Sequence, residues 1–226
     1  MEAISQLEEK YSAKDEEYYS LVRSELLPFI PAEARTVLDV GCAGGNFGRH
    51  LKETRHCEVW GIEPTTDASQ AARQHLDKVL TGTLHEVLPE LSDKRFDVIF
   101  FNDVLEHMPN PEDALLALKP YLSAEGRVIA SIPNILYYPV MRELLLEQDF
   151  RYRDFGVLDN THLRFFTRKS MTRMFEECGY KVERATGINP IRSRKLNLLN
   201  LLLLNRLKDW KFTQFVIVAR AVGDGQ

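Results

Sequence analysis

The run Thr36-Val37-Leu38-Asp39-Val40, followed at once by Gly41-Cys42-Ala43-Gly44-Gly45, constrains this chain more than any other stretch. The first five residues read as a buried strand, and the five small ones that follow suit a tight turn. A helix is expected from about Asn46 to Glu53, then a second strand, Glu58-Val59-Trp60-Gly61-Ile62, ending at Glu63-Pro64. In an open α/β sheet ligands bind beyond the carboxyl ends of the strands, where small residues let backbone N–H groups come close. A carboxylate about 20 positions past the first glycine can take both hydroxyls of a ribose. Glu63 stands 22 residues after Gly41. Strand, turn, helix, strand and carboxylate in this order predict a nucleoside ligand. The plainer alternative is tight helix–strand packing, with Glu63 as a solvated strand end.

The alternation continues along the chain. A helix is expected over 66–75, a short strand at Lys78-Val79-Leu80, and an apolar strand over Phe96–Phe101 that ends at Asn102-Asp103. Pro111 opens a helix through Leu118, as proline favours the first helical turn. A strand over Gly126–Ile132 is stopped by Pro133-Asn134, and the helix from Arg168 to Cys178 is capped by Gly179. Two late strands, 180–187 and 213–220, flank a leucine-rich segment. Near-continuous apolar strands belong to a sheet covered on both faces. The expected fold is α/β: a Rossmann-like, mostly parallel sheet of seven strands in one domain over residues 1–226. Residues 5–27 read as an amphipathic helix ended by Pro28, and residues 135–167 as an insertion with a short helix and an aromatic, charged loop.

Composition narrows the class. A formal net charge of −4 argues against a nucleic-acid binder held by bulk positive charge. Three cysteines without a C-x-x-C suggest neither a disulfide framework nor a zinc site of known spacing. No cluster of three metal ligands stands out in the sequence, so no metal is expected and a magnesium-dependent catechol enzyme is disfavoured. The start is polar and acidic, unlike a signal peptide, and Leu198–Leu207 is too short to span a bilayer, so a cytoplasmic protein is expected.

A dinucleotide loop would read G-x-G-x-x-G, but Ala43 stands at the middle glycine, and no Tyr-x-x-x-Lys pair for hydride chemistry is present. Taken in order, VLDVGCAGG, GIEP, FDVIFFNDVLEHM and GRVIASIPN resemble the successive motifs of class I S-adenosylmethionine-dependent methyltransferases, over roughly residues 36–187. FTQFVIVAR resembles that family's closing antiparallel strand. The resemblance implies S-adenosylmethionine as cofactor and S-adenosylhomocysteine as product. It assigns Gly41, Ala43 and Gly45, with Cys42 and Phe47 beside them, to the loop under the methionine part. Asp39 would orient that loop, and Glu63, followed by Pro64, would bind the ribose. Asn102, Asp103 and Val104 would lie beside the methionine portion and the methyl group. The family often places an acid after the third strand for adenine; here Leu80–Leu84 carries none, so Leu84 or His85 is assigned to that base.

Methyl transfer to an alcohol requires loss of a proton, and histidine is the natural base. His107 lies in Val104-Leu105-Glu106-His107-Met108, where a base or substrate contact and a structural cap for the following loop both stay open, and His162 lies in Leu158-Asp159-Asn160-Thr161-His162-Leu163-Arg164-Phe165-Phe166. The second stretch resembles segments of bacterial methyltransferases that modify sugars or small metabolites. His162 is the expected base, with Asp159 as its orienting carboxylate; the alternative is a histidine that holds the loop in shape. Asn134 and Arg164 are expected at the acceptor, while Arg151 and Arg153 are expected to pair with Asp149 and Asp154. In the enzymes the chain resembles this segment folds over the cofactor, so residues 1–30 would form a helical lid whose Tyr11, Tyr18 or Tyr19 touches the cofactor or acceptor; the equal alternative is that these tyrosines pack the first helix on the sheet. Residues 190–212 hold six basic residues and one acid among eight leucines, a composition that a membrane surface can take; packing on the sheet or in a homodimer is the favoured reading. The expected reaction is methyl transfer to oxygen or nitrogen of a small molecule, with a sugar or other natural-product intermediate favoured. An Asn-Pro-Pro-aromatic motif of DNA-base or protein-amide methylation is absent after the fourth strand. The rival readings are a nicotinamide-dependent oxidoreductase and a methyltransferase-like binding module without turnover.

Overall fold

In the computed structural model of the chain, residues 23–222 are described, and they form a seven-stranded sheet with helices on both faces. The strands are β1 (Thr36–Val40), β2 (Glu58–Glu63), β3 (Lys78–Thr81), β4 (Phe96–Asn102), β5 (Leu122–Pro133), β6 (Tyr180–Pro190) and β7 (Phe212–Ala221), in the order β3-β2-β1-β4-β5-β7-β6. Only β7 runs against the rest, paired antiparallel to both β5 and β6. The helices are α1 (Asn46–Arg55), α2 (Thr66–Ala72), α3 (Leu84–Val87), α4 (Pro111–Leu118), α5 (Tyr138–Arg142), α6 (Arg168–Glu177) and α7 (Arg194–Leu202).

Strand side chains alternate between two apolar layers, because successive residues point to opposite faces. Leu38, Val40, Ile99 and Phe101 pack in one layer, and Val37, Val98 and Phe100 in the other. A sheet buried this way cannot carry a polar residue cheaply along its length. Its polar side chains gather at the strand ends. The chain leaves β1 toward β2 and β3 on one side, then returns to lay β4 on the other. The loops after β1 and β4 therefore diverge and leave a crevice, the usual ligand position of an open α/β sheet.

Several boundaries differ from the sequence reading. β5 starts at Leu122, four residues early, because Phe96 pairs with Leu122 across a bulge. β6 runs on to Pro190, past Asn189 in the left-handed region, because β7 supplies a partner there. α2 ends at Ala72 rather than near residue 75. Ser24–Phe29 is a 3₁₀ turn with Pro28 inside it, preceded by Arg23 in the left-handed region, so no continuous helix reaches residue 27. Tyr11, Tyr18 and Tyr19 lie outside the described residues. In the 190–212 segment, Leu196 is buried, whereas Leu198 and Leu201 through Leu204 are exposed, which differs from a helix packed along its length on the sheet. Among the described residues, no helix is long and apolar enough to cross a membrane.

Asn134, expected at the acceptor, instead braces the end of β5. It is fully buried, donates from its amide to the Asp209 and Phe212 carbonyls at 2.9 Å each, and accepts from the Leu136 amide. Truncating it strands two buried carbonyls, each costing about 1–3 kcal/mol. Asn134→Ala is therefore expected to lose about 2–4 kcal/mol, read as a lower urea midpoint at unchanged slope. A midpoint within experimental error of wild type would refute the bracing role.

Candidate active site

The turn after β1 is shaped by close backbone contacts. The Gly41 and Cys42 amides both donate to the Ile62 carbonyl, at 2.8 and 3.1 Å, and the Gly45 amide donates to the Cys42 carbonyl at 2.9 Å. Gly41 and Gly45 sit at φ +71 and +78, where a side chain is strained. A Cβ would also lie 2.7 Å from a methyl of Val104 at the first and 3.0 Å from the Ala72 Cα at the second. Ala43 takes φ 47 despite its Cβ, at a cost of about 1 kcal/mol. That conformation accompanies an Ala43 amide that donates to Glu63 Oε2 at 2.9 Å. Glu63 Oε1 accepts from the Thr65 amide at 3.0 Å and its hydroxyl at 2.7 Å. The carboxylate closing β2 thus ties the glycine turn to the start of α2.

Asp39 is buried on β1, and Asn102 Nδ2 lies 3.5 Å from its Oδ1. Burial, reinforced by the Glu63 charge and opposed by Arg23, pushes the Asp39 carboxyl up to about 7. Asp103 follows β4 at φ 54 and is held by Arg23 Nη1 on one oxygen and by Gln214 Nε2, at 2.6 Å, on the other. Arg23 Nη2 also donates to the Ser131 hydroxyl at 2.8 Å. Burial raises the Asp103 carboxyl and the Arg23 guanidinium opposes it. Arg23 and Gln214 were not legible as site residues: one is a lone base in a polar segment, the other a polar residue on an edge-ward strand.

The third part of the site is built from two segments far apart in sequence. Glu106 and His107 lie on the 3₁₀ turn Leu105–His107 just beyond β4. The Glu106 carbonyl accepts from the Leu163 and Arg164 amides at 2.9 and 3.0 Å, which lays the insertion against that turn. His107 Nδ1 sits 3.1 Å from the Thr161 carbonyl, His162 Nδ1 sits 3.1 Å from the Val157 carbonyl, and the two rings meet edge to face at 4.7 Å. Glu106 and His162 are buried, with His162 Nε2 4.0 Å from Glu106 Oε1. The sequence showed no trio of metal ligands; the fold brings Glu106, His107 and His162 together, one ligand atom of each within 4.8 Å of the others.

Other expectations change. The acceptor at the His162 Nδ1 is the Val157 carbonyl, whereas the Asp159 carboxylate takes the Thr161 amide and hydroxyl at 2.8 and 2.6 Å. Arg164 is exposed and donates to the Pro109 carbonyl, holding the loop rather than facing an acceptor. Phe47 packs edge to face on Phe100 in the core at 4.9 Å, and Cys42 and Leu84 are also core residues. Pro64 is exposed after Glu63. Arg151 pairs with Asp149 as expected, but Arg153 pairs with Glu143 rather than Asp154. The rim beside His162 is aromatic: Phe165 meets it at 6.3 Å and Phe150 at 5.6 Å, and Phe150 and Tyr152 are exposed.

A glycine cradle with no room for a Cβ, a buried carboxylate at the end of β2 and a buried Asn102 Oδ1 with no hydrogen-bond partner at the end of β4 fit an adenosyl ligand with a charged amino-acid end. The family described as "Methyltransferase domain" matches residues 11–185. A ubiquinone biosynthesis O-methyltransferase of Azoarcus sp. is 35% identical over 171 residues, 70% of each chain. Another, of Alkalilimnicola ehrlichii, is 34% identical over 107 residues, 45% of this chain and 43% of that one, so the chain aligns to less than half of that relative's length. A solved SAM-dependent methyltransferase from Archaeoglobus fulgidus superposes with a TM-score of 0.63 at 20% identity, over 89% of this chain and 93% of that one. From motif order, strand order and the family match over more than half its length, the chain belongs to the class I S-adenosylmethionine-dependent methyltransferases.

Proposed function

We propose that this protein transfers a methyl group from S-adenosylmethionine to the hydroxyl oxygen of a small, ring-bearing acceptor. The observation that carries the reading is the Glu106–His107–His162 cluster, three and four residues past Asp103 on one side and under an aromatic rim on the other. S-adenosylmethionine, when bound, supplies an already activated methyl group. Glu63 and the Ala43 amide would hold the ribose end, and Asp39, Asn102 and Asp103 the amino-acid end. Phe150, Tyr152 and Phe165 would seat and align the acceptor ring. Deprotonation of that hydroxyl is assigned to the cluster around His162. Nδ1–H donation to a carbonyl leaves the lone pair of each neutral ring on Nε2.

The ubiquinone-biosynthesis relatives are named as O-methyltransferases, which supports oxygen over nitrogen. An apolar rim supports a ring-bearing natural-product intermediate over a bare sugar. Calorimetry should give S-adenosylhomocysteine binding and no NAD binding. Labelled-methyl transfer to a panel of phenols, catechols and sugars should favour the hydroxylated rings. His162→Ala should cut turnover about 10²–10⁴-fold and leave S-adenosylhomocysteine affinity within threefold. NAD binding, or His162→Ala turnover equal to wild type, would overturn the reading.

A further inference from the structure

We infer that Glu106, His107 and His162 form a binding site for a divalent first-row transition ion, of the zinc or manganese kind, at the acceptor end of the cleft. Ion binding stands on the geometry alone; its part in methyl transfer rests on the function proposed above.

The donor set points to the ion class. Two imidazoles and one carboxylate suit zinc, manganese or iron(II), whereas magnesium and calcium favour oxygen ligands. Bonds of about 2.1 Å place tetrahedral ligands about 3.4 Å apart. The three ligand atoms already lie within 4.8 Å of one another, with 4.0 Å between His162 Nε2 and Glu106 Oε1. Small side-chain rotations close that difference.

Supporting contacts match what a metal-bound histidine needs. Such a ring usually gives its other N–H to a carbonyl or carboxylate, which fixes its orientation and tautomer. His107 has the Thr161 carbonyl and His162 the Val157 carbonyl, each 3.1 Å from Nδ1. Asp159 fixes Thr161 through its amide and hydroxyl. The Glu106 carbonyl binds the Leu163 and Arg164 amides, so all three ligands are held by one stitched pair of segments. Asp159 thus becomes a positioning residue acting through Thr161.

Three protein ligands leave at least one coordination position for an acceptor oxygen, the pattern of catalytic rather than structural sites. A hydroxyl bound there is acidified, as water is on zinc, and its proton passes to solvent water. The freed oxygen pair forms the new C–O bond to the methyl carbon as the C–S bond breaks, and that bond's electrons stay on sulfur. His162 then acts as a ligand and does not itself carry the proton.

The test uses the full-length, tag-free chain, stripped with chelator and titrated with Zn²⁺ alone, then with Mg²⁺ alone. One Zn²⁺ per chain is expected, at least 100-fold tighter than Mg²⁺. Glu106→Gln, His107→Ala and His162→Ala should each weaken Zn²⁺ at least 100-fold, and Thr161→Val about 10-fold. S-adenosylhomocysteine affinity, held within threefold, certifies that each variant is folded. No stoichiometric Zn²⁺ binding by the wild-type chain, or equal affinity in folded Glu106→Gln and His162→Ala, would overturn the inference. Site-specific Zn²⁺ binding without transfer to any hydroxylated acceptor would uphold it and count against the proposed function instead.

Discussion

Glu63→Ala is expected to lower the affinity for S-adenosylhomocysteine by at least 10²-fold in calorimetry. The carboxylate has two duties. Its Oε2 accepts from the Ala43 amide at 2.9 Å and its Oε1 from Thr65, so it holds the glycine turn in a conformation that includes a left-handed alanine. In the proposed complex it also accepts from the ribose hydroxyls. Hydrogen bonds to a charged group are worth about 1.5–3 kcal/mol each, so loss of two corresponds to roughly 10²–10⁴-fold. Glu63→Gln keeps an acceptor for one backbone amide but loses the charge, and an intermediate loss of about 10-fold is expected. An alanine variant that binds within threefold of wild type would remove Glu63 from the cofactor site, and with it the main support for the nucleoside pocket.

Asp39→Asn is expected to stabilise the protein at pH 8 by up to about 4 kcal/mol, with no gain at pH 4. Burial comes first among the causes that raise the Asp39 carboxyl to about 7 from its ordinary value of 3.8. Between those two values the folded chain binds a proton that the unfolded chain does not. Stability from this group is therefore fully present below about pH 4 and falls as pH rises through about 7. Asparagine carries no such proton, so the variant's stability lacks that decline. Urea denaturation at pH 4, 6 and 8 reads the difference directly. A wild-type-minus-variant gap that stays constant over this range would refute the burial argument. The ionised form has a use: a cationic ligand end beside Asp39 favours it, so wild-type affinity for S-adenosylmethionine is expected to rise from pH 6 to 8, and that of the variant to stay level.

The two predictions differ in how far residue order alone could reach. Glu63 is legible because its role depends on a short local unit. One strand, a turn of small residues, one helix and the next strand place a carboxylate beside the turn by chain geometry, and burial of both sheet faces makes those strands plainly apolar. The positions of Asp39, Asn102 and Asp103, at or near the ends of unmistakable strands, are legible for the same reason, whereas their roles are what the family resemblance implies. The resemblance, not chain geometry, assigned Phe47 and Cys42 beside the turn and Leu84 to adenine, and all three side chains are buried in the core.

Arg23, Gln214 and Glu106 show the opposite case. Arg23 meets Asp103 across 80 positions of chain and Gln214 meets it across 111, and no local pattern encodes either pairing. Asn134 looked like an acceptor contact because it follows a strand end, yet its amide is spent on the Asp209 and Phe212 carbonyls, which return beside it only when β7 inserts antiparallel between β5 and β6. The order of residues by itself determined the fold class, the small-residue turn after β1 and the carboxylate that closes on it, because these follow from hydrophobic periodicity and from turns closed within one βαβ unit. Only the tertiary structure decided that Glu106 and His107 meet His162, because this depends on an insertion folding back onto a turn some 55 residues earlier, through backbone hydrogen bonds that residues of any type could make.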